Sequence, residues 1–161
     1  MLRLASYDVV FQEVPDEVTL ALNLSGCPNR CPGCHSPHLQ EPIGEPLDKG
    51  LLAGLLHRYG AAVTCVCFMG GDAEPTEVER LAHIVRNETA GRLKTAWYSG
   101  RADLPDGCDP ACFDYIKLGP YIEERGGLDS DATNQKFFLI RDGRFIDLTK
   151  SFLRTPGRPT E

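Results

Sequence analysis

Apolar and polar residues follow one another along this chain in blocks whose period switches between that of a strand and that of a helix. The run "VTLALNLSG" (18–26) is dense in β-branched and aliphatic residues and ends on glycine, which predicts a buried strand. In "PLDKGLLAGLLHRYG" (46–60), Leu47, Leu51, Leu52, Leu55 and Leu56 recur on one helical face, and Gly60 marks the stop. "AVTCVCFMGG" (62–71) predicts a second strand closed by two glycines. "EPTEVERLAHIVRNETAG" (74–91) opens with Pro75 among acidic residues, as helix starts do, and carries Val78, Leu81, Ala82 and Val85 as its buried stripe. "LKTAWYSG" (93–100) and "FDYIKLGPY" (113–121) predict a third and a fourth strand. In "QKFFLIRDGRFIDLT" (135–149), Asp142-Gly143 divides two apolar runs, the signal of a β-hairpin.

Strands alternating with helices imply parallel βαβ units and an α/β fold. A closed (β/α)₈ barrel takes about 250 residues. A chain of 161 residues supplies about half of that, so the expected architecture is an open, partial (β/α) barrel with a C-terminal β-hairpin. Residues 1–150 read as one domain and 151–161 as a loose tail. Ligands of parallel α/β sheets sit beyond the carboxyl ends of the strands. Three features fall there: a cysteine-rich loop after the first strand, Gly70-Gly71-Asp72 after the second, and Tyr98-Ser99-Gly100 after the third.

Composition narrows the field. A net charge of -6 argues against a grip on nucleic acid, which needs a basic stripe. No apolar run approaches a membrane span, and "MLRLASYDVVFQEV" turns acidic too early for a signal peptide. The expected setting is the cytoplasm. Seven cysteines fit metal or redox chemistry there better than a disulfide framework.

The chemistry concentrates in "SGCPNRCPGCHSPH" (25–38), where Cys27, Cys31 and Cys34 have the spacing C-x₃-C-x₂-C. Pro28 and Pro32 prevent a regular helix, and Gly33 permits unusual backbone angles. Three readings compete. The thiols are unliganded, or they join His35 or His38 in a tetrahedral zinc site, or they hold a 4Fe-4S cluster by three cysteines. Such clusters usually take four thiolates, so three leave one iron open to an outside ligand. Gly70-Gly71-Asp72 alone is an ordinary turn. Cys65 and Cys67, two apart on a strand, read as small core residues. Cys108 and Cys112, in "CDPAC", read as incidental loop thiols with no histidine nearby. His57 and His83 lie on helices and read as partly exposed. Trp97 reads as core, and Lys117 as an ordinary surface lysine.

The cysteine spacing in a loop after a strand, followed one βα unit later by "FMGGDAEP" (68–75), resembles the radical S-adenosylmethionine superfamily. With "DYIKLGPYIEE" and "TNQKFF" further on, the chain from about residue 5 to 145 resembles the activating proteins of the anaerobic (class III) ribonucleoside-triphosphate reductase. The resemblance implies that Cys27, Cys31 and Cys34 hold a 4Fe-4S cluster whose open iron binds S-adenosyl-L-methionine. It implies that reductive cleavage of that cofactor generates a glycyl radical on the large reductase subunit. It places Gly33, Cys34 and His35 beside the cofactor, and Gly70, Gly71 and Asp72 at its methionine end. Lys117 would reach the cofactor carboxylate, and Tyr98, Ser99 and Gly100 would border its adenosine. An outside electron donor such as a flavodoxin is implied, with neither nucleic acid nor membrane as a partner. The alternatives are an activase of another glycyl-radical enzyme, a radical enzyme with a small substrate, and a non-enzymatic zinc-binding module. The chain departs from common patterns in three places: Gly33 stands where many superfamily members have an aromatic residue, "FQEVPDEVT" replaces a Gly-Pro-Gly turn, and Leu118 rather than an acidic residue precedes "GP".

Overall fold

The computed structural model describes residues 1–153. Its strands are β1 (Arg3–Val10), β2 (Thr19–Leu24), β3 (Glu45–Pro46), β4 (Cys65–Met69), β5 (Lys94–Tyr98), β6 (Tyr115–Leu118), β7 (Lys136–Arg141) and β8 (Arg144–Asp147). Two α-helices, α1 (Lys49–Tyr59) and α2 (Pro75–Glu88), accompany them. All eight strands form one mixed sheet in the order β3-β1-β2-β4-β5-β6-β7-β8. The run β2-β4-β5-β6 is parallel, and antiparallel strands flank it on both sides. The end strands β3 and β8 do not pair, so the sheet is open, as the chain length implied.

Local chemistry sets the element ends. Asp48 caps α1 by accepting from the Leu51 N–H at 2.8 Å. α2 starts at Pro75 and ends three residues before the expected stop at Gly91, because Thr89 turns its hydroxyl back onto the Val85 carbonyl and Ala90 and Gly91 take positive φ. The hairpin turn Asp142-Gly143 has φ of 52° and 73°, the pairing that a two-residue turn requires. β1 was not announced by the hydrophobic pattern. It is flanked on one side by only the two-residue β3, and most of its residues are exposed or half-buried, so no strong apolar alternation marks it.

Alternation along the strands divides the core in two. Leu20, Leu22 and Leu24 of β2, Val66 and Phe68 of β4, Trp97 of β5 and Ile116 of β6 face the helices. There they pack on Leu52, Leu55 and Leu56 of α1 and Val78, Leu81, Ala82 and Val85 of α2. The other face carries Cys65, Cys67, Ala96, Tyr115 and Phe137, covered by Val14, Leu148 and Phe152. Phe152 lies edge-on to Phe137 at 4.9 Å, so the fold runs at least two residues past the expected boundary at 150. Residues 154–161 of the expected tail lie outside the described residues. The connection from β5 to β6 holds a single 3₁₀ turn (Pro110–Cys112) and no α-helix.

The β1–β2 connection, "FQEVPDEV", tucks Val14 under the second face and places the Glu17 carboxylate at 6% exposure by the amino ends of the parallel strands. Glu17 accepts from Lys94 Nζ at 2.6 Å, Thr64 Oγ1 at 2.5 Å and Tyr115 Oη at 2.9 Å. Burial alone would raise its pKa, but these three donors outweigh burial and hold it below its ordinary value of 4.5. A carboxyl more acidic in the folded than in the unfolded chain contributes stability above pH 4.5, and that stability is lost as pH falls through the folded pKa. Glu17→Ala should therefore lower the unfolding free energy by about 1–3 kcal/mol at pH 7, by orphaning the buried Tyr115 hydroxyl while Lys94 and Thr64 rehydrate. The acid limb of stability against pH should flatten in the variant, as read by denaturant titration from pH 7 to 3.

Candidate functional site

At Leu24 β2 ends and the chain leaves the sheet. Ser25 makes the neck of the excursion: its hydroxyl donates to the Ile43 carbonyl at 2.6 Å and accepts from the Ile43 N–H at 3.1 Å. The N–H groups of Gly26 and Cys27 donate to the carbonyls of Glu41 and Leu39. Cys34 N–H donates to the Cys31 carbonyl at 3.1 Å, which folds the second and third cysteines into one turn with Gly33 at φ 73°. Cys27, Cys31 and Cys34 are free and half-buried. His35 and His38 are exposed.

Donors already point at the sulfurs. Asn29 Nδ2 donates to Cys27 Sγ at 3.6 Å, and Ser36 N–H to Cys34 Sγ at 3.4 Å. Such contacts favour thiolate ligands and tune a bound centre. The same Asn29 amide donates to Asp72 Oδ2 at 2.5 Å, and so joins the loop to the end of β4.

Asp72 is 1% exposed. A buried carboxylate needs partners, and Asp72 has them: Ser99 Oγ donates at 2.6 Å, the Gly100 N–H at 2.8 Å, and Asn29 as above. Arg101 donates to the Asp72 carbonyl at 2.8 Å. Both oxygens of Asp72 are thus engaged by protein donors, and the residue works as a tie between the cysteine loop and the end of β5. Gly100 makes room for it. A Cβ there would stand 2.5 Å from Asn29 Nδ2.

Gly70 and Gly71 have φ of 105° and 88°, closed to other residues without strain. A Cβ on Gly71 would meet Val78 Cγ2 at 2.5 Å, so this glycine also lets α2 press onto the sheet. Trp97, buried as expected, donates its indole N–H to the Gly70 carbonyl at 2.8 Å.

The segment after β6 closes the loop from the other side. Tyr121 meets His35 edge-on at 4.8 Å. A Cβ on Gly33 would lie 2.9 Å from Glu123 Oε2, so the glycine before the third cysteine makes room for Glu123. Lys117 is not the surface lysine expected. It is half-buried, its Nζ donates to the carbonyls of Ser99 at 3.3 Å and Gly119 at 3.2 Å, and burial pushes its pKa below the usual lysine value. Asp72 and the thiols of Cys31, Cys67 and Cys27 pull the other way, so its ammonium lies among the groups of this rim.

Tyr98 is turned away from the rim. Its hydroxyl donates to the Glu13 carbonyl and its ring packs on Phe137. Cys65 and Cys67 are fully buried core residues, and burial pushes both thiols up. Clefts of about 500 and 560 Å³ lie elsewhere, one beside the β7–β8 hairpin at Ser130 and Lys136, the other at Lys94 and Tyr115. The thiols stand on an open rim.

The reading of Cys108 and Cys112 as thiols without a histidine needs correction. His83, exposed on α2, brings Nε2 to 3.1 Å from Cys112 Sγ, and Glu79 Oε1 lies 3.6 Å from the same sulfur. Burial, with Glu79 adding to it, pushes the Cys108 thiol up to about 11 and the Cys112 thiol up to about 12. The sequence signal was a Glu and a His one helical turn apart on α2, invisible as a site until the crossover folds against them.

Gly100→Ala should displace Asn29 and loosen the cysteine loop by about 1–2 kcal/mol. The expected readout is a roughly tenfold faster reaction of the loop thiols with a thiol reagent in the metal-free protein. The midpoint of global unfolding should move little. Comparisons with family models, with curated proteins and with solved structures each return no match, so the site is read from its own residues.

Proposed function

We propose that the chain is an iron–sulfur activase of the radical S-adenosylmethionine type, and that its sheet is the open half-barrel of that class. One observation carries this reading: three half-buried thiols, two already receiving hydrogen bonds, stand on an open rim at the carboxyl end of the first parallel strand. Three thiols in one loop, with no fourth cysteine beside them in sequence, suit a 4Fe-4S cluster that leaves one iron open.

In this reading Cys27, Cys31 and Cys34 hold a 4Fe-4S cluster, and S-adenosyl-L-methionine completes it. Together they supply a one-electron reduction that ends in removal of a hydrogen atom from a target glycine. Gly33, Cys34 and His35 flank the cofactor. Gly70 and Gly71 offer backbone without side chains to its methionine end, with Asp72 holding that wall from behind. Lys117 holds a positive charge by the rim for the carboxylate. Tyr121 and Glu123 brace the loop. No acid–base pair is required of the chain. The open side of the sheet suits a protein segment better than a small molecule, which needs enclosure. The substrate is assigned as the large glycyl-radical subunit of the anaerobic reductase, the electron donor as a flavodoxin, and the setting as the cytoplasm. Among the described residues, no helix is long and apolar enough to cross a membrane.

The test is anaerobic. Reconstituted protein should hold about four irons per chain, and Cys31→Ser should lose them. With reductant and S-adenosylmethionine it should release 5′-deoxyadenosine, and with the large reductase subunit it should give a glycyl radical by electron paramagnetic resonance. Cleavage without that radical keeps the chemistry and removes the assigned target. Colourless protein whose zinc disappears in Cys31→Ser overturns the reading. Lys117→Met should weaken S-adenosylmethionine binding about 10–100-fold with iron content unchanged, as expected for loss of a charged hydrogen-bond donor.

A further inference from the structure

On the outer surface of the fold, α2 presents Glu79, His83 and Arg86 in one row toward the β5–β6 connection. Arg86 donates to the Ala111 carbonyl at 2.5 Å, and the Asp109 N–H donates to Glu79 at 3.3 Å. Between these contacts the ligand atoms of Glu79, His83 and Cys112 all lie within 4.8 Å of one another. Cys108 lies four residues before Cys112 on the same connection, outside this set of three.

We propose that this cluster is a structural zinc site, in which the Cys112 thiolate, the His83 imidazole and one Glu79 oxygen bind a single divalent ion, and the Cys108 thiolate turns in to complete the tetrahedron. Tetrahedral zinc, with bonds of about 2.3 Å to sulfur and 2.0–2.2 Å to nitrogen or oxygen, sets its unlike ligand atoms about 3.6 Å apart. Cys112 Sγ lies 3.1 Å from His83 Nε2 and 3.6 Å from Glu79 Oε1. The pairing of a C-x₃-C turn with an E-x₃-H helical turn falls within ordinary zinc-ligand spacing. Two soft thiols with imidazole and carboxylate select zinc-class ions over calcium or magnesium. A thiol–imidazole hydrogen bond explains only one of these contacts. It leaves the Glu79 carboxylate beside the Cys112 thiol, and no lysine or arginine pairs with it among the described residues.

The fold gives the ion a task. The β5–β6 crossover has no α-helix to pack it down, only the 3₁₀ turn Pro110–Cys112, and so long a connection with so little secondary structure is uncommon in a compact domain. An ion held by two ligands from α2 and two from the crossover staples the one to the other. The crossover starts at Ser99 and Gly100, which hold Asp72. Four protein ligands leave no open position, so the site is structural and not catalytic. The proposal does not depend on what the loop of Cys27 holds.

The test uses the full chain with Cys27, Cys31 and Cys34 all replaced by alanine, stripped of metal and titrated with Co²⁺ alone, then Zn²⁺ alone. One Co²⁺ per chain should give the visible absorption of a tetrahedral thiolate site, and Zn²⁺ should displace it and raise the thermal midpoint. His83→Gln, at an exposed position, should weaken zinc binding at least about 100-fold without changing the midpoint of the metal-free protein. In the intact chain after anaerobic cluster reconstitution, about one zinc should accompany the iron, and His83→Gln should lose the zinc and keep the iron. No tetrahedral cobalt signal in the triple variant together with no zinc in the intact chain would overturn the proposal. So would zinc binding undiminished by His83→Gln.

Discussion

A carboxylate buried where the parallel strands end governs the rim of this fold. Ser99, Gly100 and Asn29 all donate to Asp72, and each brings a different segment: the end of β5, the turn after it, and the cysteine loop. Removing any one donor leaves a buried acceptor short of a partner, which costs more than the lost hydrogen bond returns. The glycines nearby follow from this crowding. Gly71 lets α2 approach, and Gly100 lets Asn29 approach.

The two faces of the sheet divide the work. The face toward the helices is packed with large side chains, among them Trp97, Phe68 and Leu22, and fixes the strands. The opposite face is lined in its middle by Ala21, Cys67 and Ala96 in register, small residues that let the β1–β2 connection and the C-terminal segment fold against the sheet. One row higher stand Asn23, Met69, Tyr98 and Lys117, all half-buried, so packing thins toward the carboxyl end where the thiols lie.

Much of this was legible in the sequence. The dense apolar runs of "VTLALNLSG" and "AVTCVCFMGG" marked two parallel strands because both of their faces are buried, and Asp142-Gly143 fixed the hairpin because such a pair readily takes two positive φ angles. Cys27, Cys31 and Cys34 drew notice by spacing alone. Other features depended on contacts far apart in the chain. β1 hides because most of its side chains meet water. Lys117 reads as a surface residue until the strands beside it are placed. The absence of a helix between β5 and β6 leaves no local mark, and the Glu79–His83–Cys112 cluster joins residues some thirty positions apart. The internal engagement of Asp72 was equally hidden, since a Gly-Gly-Asp turn looks the same whether its acid faces a ligand or the protein.

The central claim is that this chain anchors a metal cluster at three points and leaves one iron for a ligand from outside. Mössbauer spectroscopy of the iron-57 protein, with and without S-adenosylmethionine, tests it most directly. The account predicts that one iron of the cube changes its isomer shift when the cofactor is added while the other three keep theirs. Four irons that all ignore the cofactor would contradict it.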